Sequence, residues 1–156
     1  MSIFDDELVS RLKREAELKA QEDEEKMFDA LEKKQIAREY ITDCLHGFPA
    51  AAKKINLQTE SLELDYASNK KHRKTIEVWK VAESAKFHGS KYYVGINGNC
   101  FEKSFSPSMY GGYHEYVSDM SIKLIAYKMY DNCDWCQGSK DDIKKWFIEV
   151  LSGKYV

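Results

Sequence analysis

The stretch that decides the fold reads KYYVGINGNCFEKSF and spans residues 91–105. Its first and last parts are rich in β-branched and aromatic residues, which favour strands. Between them lies Asn97-Gly98, the dipeptide preferred in tight hairpin turns. The stretch therefore predicts two antiparallel strands, over residues 91–96 and 100–105.

Two further strands are predicted upstream of this hairpin. Residues 75–82, TIEVWKVA, are again β-branched and aromatic, and Leu62, Leu64 and Tyr66 alternate with polar neighbours, as in a half-buried strand. Together these segments predict a four-stranded antiparallel β-meander. Residues 118–130 fit a helix or a fifth strand about equally well, so the sheet has four or five strands.

The N-terminal segment predicts helix. The first 46 residues are rich in Glu, Lys, Ala, Leu and Arg, all good helix formers, and we expect Gly47 and Pro49 to end the helix. An unbroken helix of this length would span about 64 Å, whereas a compact body of this size is about 40 Å across. We therefore expect a break near residues 21–26, a protrusion or packing on a second chain, and divide the chain into a helical arm (1–46) and an α+β body (47–156).

Two amphipathic faces are expected to pack on the sheet. The first lies at the end of the arm and consists of Ile36, Ala37, Tyr40, Ile41, Cys44 and Leu45. The second belongs to a C-terminal helix and consists of Ile143, Trp146, Phe147, Val150 and Leu151. Ser139 or Asp141 is suited to begin that helix, and Gly153 to follow its end. The fold class is therefore α+β, with the C-terminal helix on one face of the sheet.

Charge and hydropathy exclude several classes of protein. The formal net charge is −2, which by itself predicts no polyanionic partner. No apolar run approaches the roughly 18 residues of a membrane span, and the acidic N-terminus does not resemble a signal peptide. We expect a cytoplasmic protein without membrane association, whose four cysteines are reduced.

Cys133-Asp-Trp-Cys136 is the one motif with a chemical character. A CxxC pair before a helix is suited to redox chemistry, but the surrounding carboxylates oppose thiolate formation. Half of a zinc site is the other reading, completed by Cys44 with His46 or by Cys100 with His114. Since no second CxxC exists, we expect unliganded thiols in a turn, with Cys133 and Cys136 as a weak metal candidate and no cofactor.

A basic run occupies a predicted hairpin tip and consists of Lys70, Lys71, His72, Arg73 and Lys74. Such a tip is suited to gripping phosphates, although the run contains no aromatic residue to stack on bases. The alternatives are a solvated turn that protects a strand end or a contact with an acidic protein surface.

Residues 106–116, SPSMYGGYHEY, predict a long tyrosine-rich loop. Tyrosine is common at binding hot spots, so its candidate binding residues are Met109, Tyr110, Tyr113, His114 and Tyr116. The alternative is that the tyrosines fold back and complete the core.

No catalytic residue is assigned. Asp65, Glu77 and Lys80 resemble a metal-dependent nuclease set, but Glu77 and Lys80 are three residues apart, so they would point to opposite faces of a strand. No serine lies in a nucleophile elbow and no glycine loop has a phosphate-binding spacing.

The sequence therefore favours a small regulatory or accessory binding protein that occupies a surface on a larger protein. A phage-type inhibitor of a host or defence enzyme is one class with this profile. Phe4, Leu8 and Leu12 of the arm are candidate docking residues, towards a partner or a second copy of the chain. The second hypothesis is a nucleic-acid-binding protein that uses residues 70–74, and the third is a zinc or metal-dependent protein around Cys133 and Cys136.

Overall fold

The computed structural model describes residues 4–64, 74–84, 89–107 and 111–154, except the side chains of residues 106, 107, 113 and 114. The elements follow one another as α1 (Asp6–Lys54), β1 (Glu60–Leu64), β2 (Lys74–Glu83), β3 (Lys91–Gly95), β4 (Cys100–Pro107), β5 (Tyr113–Met120), α2 (Ile122–Asn132), a 3₁₀ turn (Asp134–Gln137) and α3 (Lys140–Leu151). The predicted α+β fold with an antiparallel meander is confirmed. The chain divides into two compact units, Met1–Ile36 and Ala37–Val156.

The sheet contains five strands in the order in which they occur in the chain, each antiparallel to the next. The predicted hairpin joins β3 to β4. Gly98 adopts a φ of 88°, a conformation that glycine reaches without steric cost. The turn is closed by the Gly95 amide, which donates to the Asn99 carbonyl at 2.7 Å.

Residues 106–116 form less of a loop than the sequence indicated. β4 continues to Pro107, and β5 begins at Tyr113, directly opposite it. Proline is tolerated at a strand end, where no further ladder bond is needed from its nitrogen. The loop prediction is therefore wrong for most of its length, because pairing along β4 keeps these residues extended.

The ambiguous segment 118–130 contains both structures that the sequence allowed. β5 ends at Met120, and α2 begins immediately after Ser121. The Ser121 hydroxyl accepts a hydrogen bond from the Leu124 amide at 3.1 Å, which is the bond of a helix N-cap. A capping serine thus ends a strand and begins a helix within one residue.

Helix α1 passes through Gly47 and Pro49 and ends at Lys54, so the predicted stop there is wrong. A proline inside a helix costs about 3 kcal/mol. Leu45, Phe48 and Ala52 are all at most 2% exposed, and burying a large apolar side chain contributes about 1.5–3 kcal/mol. Burial on both sides of Pro49 therefore offsets the cost of the proline.

The larger hydrophobic cluster, here the major core, lies between the sheet and the helices of residues 37–156. Its buried members are Ala37, Ile41, Leu45, Phe48, Ala52, Trp79, Val81, Ala82, Tyr92, Val94, Cys100, Ile125, Ala126, Met129, Cys133, Cys136, Ile143, Phe147 and Val150. Phe48 of α1 contacts Trp79 of β2 and Phe147 of α3 edge to face, with ring centroids 5.8 and 6.3 Å away. The predicted packing of α3 on one sheet face is therefore confirmed.

A second cluster, here the minor core, contains alternate residues of the strands. Leu62, Val78, Tyr93 and Phe101 are buried in it, and Leu64, Ile76 and Val117 pack against them. Successive strand residues point to opposite faces, so Tyr92 enters the major core and Tyr93 the minor core. The sheet therefore has apolar residues on both faces, as in a half-barrel.

Helix α3 is fixed at its start and at its middle. Ser139 and Asp142 form a reciprocal capping box, which satisfies two backbone amides at the helix start. Trp146 stacks on Trp135 with ring centroids 4.5 Å apart, and its indole nitrogen donates to the Val81 carbonyl at 2.8 Å. Val81 is the extra residue of a β-bulge in β2, which lies outside the regular ladder. The indole thus satisfies a carbonyl at an irregular point of the sheet.

We predict that Trp146→Ala lowers the free energy of unfolding by about 3–5 kcal/mol. The change removes the stacking partner of Trp135 and the hydrogen bond to Val81. Ile148→Ala on the same helix is the matched control, because Ile148 is exposed and its loss should cost less than about 1 kcal/mol. Urea titration measures both variants, and equal midpoints would contradict the placement of α3.

Candidate interaction surfaces

The arm presents apolar side chains to solvent. Its start is capped by Asp5, whose carboxylate accepts a hydrogen bond from the Leu8 amide at 2.7 Å. Of the candidate docking residues, Phe4 and Leu12 are exposed and Leu8 is half-buried. Val9, Leu18, Met27, Phe28 and Leu31 are further large exposed apolar residues of the same unit.

Sequence reasoning did not include the second apolar group of the arm among the candidates. Met27, Phe28 and Leu31 are 66%, 68% and 61% exposed. Their spacing of i, i+1 and i+4 places them on one side of a helix. That spacing was a usable signal, but a helical face with this pattern usually packs on a core, so only the structure identifies it as a surface.

The basic run lies almost entirely outside the described residues. Lys70, Lys71, His72 and Arg73 are not described, and Lys74 is the exposed first residue of β2, opposite Leu64. The nucleic-acid hypothesis therefore stays a prediction.

The tyrosine-rich segment is described in part. Met109 and Tyr110 lie outside the described residues, and only the backbone of Tyr113 and His114 is described, at the start of β5. Tyr116 lies in the middle of β5 and is 50% exposed. Of these candidates, Tyr116 is the one whose side chain the structure places at a surface.

Tyr116 borders a cleft that sequence reasoning missed. The cleft, here the edge cleft, has a volume of about 550 Å³ and lies between the two outer strands of the sheet. It is lined by Ser61, Leu62, Glu63, Lys103, Glu115, Tyr116, Val117 and Ser118. Two strands at opposite ends of the sheet order can line one cleft only if the sheet curls. No sequence pattern predicts that curvature.

The two strands that border the edge cleft are acidic, and two of their carboxylates, Glu63 and Glu115, line it. β1 and β5 together carry four carboxylates and no lysine or arginine. The carboxylates are Glu60, Glu63, Glu115 and Asp119. Lys103 of β4 lies 3.4 Å from Glu115 and offsets one of them. A ligand for this cleft would therefore be favoured by positive charge.

Cys133 and Cys136 do not have the surroundings of a reactive pair. Both side chains are buried in the major core. Burial is the largest cause of the raised pKa of the Cys136 thiol, and the neighbouring Cys133 raises it further. Cys100 is also buried, and its pKa is raised to about 12. Thiolates are the species that attack and that bind metals. Within the described ranges, no group of three or more His, Cys, Asp or Glu residues is arranged to hold a metal ion.

Glu77 of the nuclease-like set has a structural role in the sheet. Glu77 accepts hydrogen bonds from Thr59 at 2.7 Å and Ser61 at 2.9 Å, which lower its pKa. Lys80 instead contacts Glu83 at 3.4 Å, and Asp65 lies outside the described residues. Glu77 thus joins β1 to β2.

Comparison of the chain with protein-family models, curated proteins and solved structures finds no match. In the described part of the chain, no helix is sufficiently long and apolar to cross a bilayer.

We predict that iodoacetamide labels Cys44 at least about tenfold faster than Cys100, Cys133 or Cys136 in the native protein at pH 8. Cys44 is half-buried, whereas the other three are buried. Peptide mass spectrometry measures the four rates, and equal labelling in denaturant is the control. Fast labelling of Cys133 and Cys136, or one equivalent of zinc protecting them, would restore the redox or the zinc hypothesis.

Proposed function

We propose that this protein is a binding protein that acts by inserting apolar residues of its arm into a groove on a larger protein. The observation that supports this most strongly is the exposure of seven large apolar side chains within residues 4–31. Exposed apolar groups in such numbers are typical of interaction sites. A regulatory or inhibitory effect would follow if the groove belongs to a functional site of the partner.

Arrangement along the helix favours insertion into a groove over a long coiled coil. Apart from Phe4 and Leu18, the large apolar residues form one group at residues 8–12 and another at residues 27–31, separated by the acidic run 22–25. A sustained heptad seam would need apolar residues throughout. Two short groups, each about one turn long, are suited to the i, i+3, i+4 anchors of a helix bound in a groove.

The body does not depend on these side chains. The buried apolar residues of both clusters lie within residues 37–150. A helix gains most of its stability from packing an apolar face, and the described residues 4–36 include no buried side chain. The arm therefore keeps its apolar groups available for a partner.

We predict that Leu8→Glu with Leu12→Glu, and separately Met27→Glu with Leu31→Glu, abolish partner binding without changing the melting temperature. The replaced side chains lie outside both cores, with Leu8 half-buried and Leu12, Met27 and Leu31 exposed, so each pair should alter the free energy of unfolding by less than about 0.5 kcal/mol. The measurement is photo-crosslinking in host extract through a benzophenone side chain placed at residue 28 for the first pair and at residue 12 for the second.

The matched control replaces Glu22 and Glu25, which are exposed residues of the same helix, with glutamine. It should keep the crosslinked species that the wild type forms. Full crosslinking by both glutamate pairs would overturn the proposal. Sedimentation distinguishes a larger protein from a second copy of the chain as the partner. A concentration-dependent dimer that both glutamate pairs abolish would show that the groove belongs to a second copy.

A further inference from the structure

The two outer strands of the sheet leave backbone edges that are not used by any described strand. β1 pairs with β2, β5 pairs with β4, and within the described ranges neither has a second neighbour. An edge strand presents a row of amide and carbonyl groups that readily pair with another strand. Here both edges border one cleft.

The directions of β1 and β5 prevent these two strands from pairing antiparallel with each other, as the other strands of the sheet do. Every pair of consecutive strands is antiparallel, so the first and the fifth strands run in the same direction. One additional strand that runs the opposite way would be antiparallel to both. A single strand would therefore continue the pattern on each side and close a six-stranded barrel.

The stagger of the edges agrees with a barrel. The register of each strand pair shows which residues lie side by side across the sheet. When it is followed from β1 to β5, Glu60 lies at the same position along the strand direction as the residue that follows Met120. The edge cleft is instead lined by residues 61–63 on one side and 116–118 on the other. The edges thus meet with a displacement along the strand direction, as curling into a barrel requires.

The side chains around the edge cleft define what such a strand should carry. Leu62 and Val117 belong to the minor core, so residues of the strand that point inward between them should be apolar. Glu63 and Glu115 line the cleft, with Lys103 as the nearby cation, and Glu60 and Asp119 lie elsewhere on the same two strands. Lysine or arginine on the added strand would complement them.

We propose that the edge cleft binds an extended, basic and apolar segment of a partner protein, which adds as a sixth strand between β1 and β5. Main-chain hydrogen bonds to both edges would supply affinity, and the alternating side chains would supply specificity. This site consists of residues of the body and does not depend on the proposed role of the arm.

The test uses the full chain and an acetylated, amidated eight-residue peptide of alternating valine and lysine. Fluorescence anisotropy should show saturable binding. Replacing two central valines by proline keeps the charge but prevents strand pairing, and should weaken binding at least about tenfold. A valine–glutamate peptide should be weakened at least as much. Equal binding of the proline peptide would show charge attraction alone and would overturn the proposal.

Hydrogen exchange locates the peptide on the wild-type protein. Bound peptide should slow exchange of amides in both Glu60–Leu64 and Tyr113–Met120, because one strand donates to and accepts from both edges. Slowing at one edge only, or at neither, would overturn insertion between them. The absence of any binding, with both edges already protected in the free protein, would show that the chain itself fills the cleft.

A charge-reversal pair tests the acidic rim. Glu63→Lys with Glu115→Lys should weaken peptide binding by about tenfold, whereas Asp43→Lys with Asp134→Lys, outside the cleft, changes the net charge equally and should leave binding within about twofold. All four residues are exposed. Equal weakening by both pairs would overturn recognition by the rim. The arm pair Leu8→Glu with Leu12→Glu should bind the peptide normally, so the two proposals fail separately.

Discussion

The packing of Phe48 is the contact on which the body depends. Its ring lies between Trp79 of the sheet and Phe147 of α3, and it joins three elements that are far apart in the chain. It also lies next to Pro49, inside a helix that this proline would otherwise interrupt. Aromatic contacts of this geometry contribute about 0.5–1.5 kcal/mol beyond the burial of area. One side chain therefore helps to keep α1 helical and to hold the helical layer on the sheet.

Polar contacts fix the elements around this centre. Arg38 of α1 lies over the Tyr127 ring, 4.3 Å from its centroid, and contacts Asp131 at 3.3 Å, both on α2. Lys128 of α2 reaches the buried Glu102 of β4 at 3.0 Å. A buried carboxylate is costly unless it is paired, so Glu102 restricts the position at which α2 crosses the sheet. Apolar burial stabilises the layers, and these pairs set their alignment.

The proposed binding surfaces follow from where the chain buries its apolar residues and where it leaves them exposed. Residues 37–150 bury apolar side chains in two cores, whereas the described residues 4–36 bury none. The sheet, in turn, covers its major face with helices and curls around the other, which leaves two edges and an acidic cleft. A helical arm is suited to a groove on a partner, whereas an open sheet edge is suited to an extended segment. The two proposals would thus give the chain two chemically distinct means of engaging another protein.

Much of the fold was predictable from local signals. Alternation and β-branching predicted the first four strands, Asn97-Gly98 predicted the hairpin, and Ser139 or Asp141 with Gly153 predicted the bounds of α3, because each depends on residues close together in sequence. Ser121 could have resolved the ambiguous segment 118–130, since a serine cap is itself a local signal. The arm residues Phe4, Leu8 and Leu12 were likewise chosen from local pattern.

Tertiary structure decided the rest. Helix propensity places a stop at Gly47 and Pro49, and only burial of Leu45, Phe48 and Ala52 carries the helix past them. Pairing with β4 converts a tyrosine- and glycine-rich stretch into β5 and brings Tyr116 to a cleft. That cleft exists because the first and fifth strands approach each other, a consequence of sheet curvature that involves residues more than fifty positions apart. Sequence thus determined the elements and the apolar character of the arm, whereas long-range packing decided where α1 ends and which residues share a site.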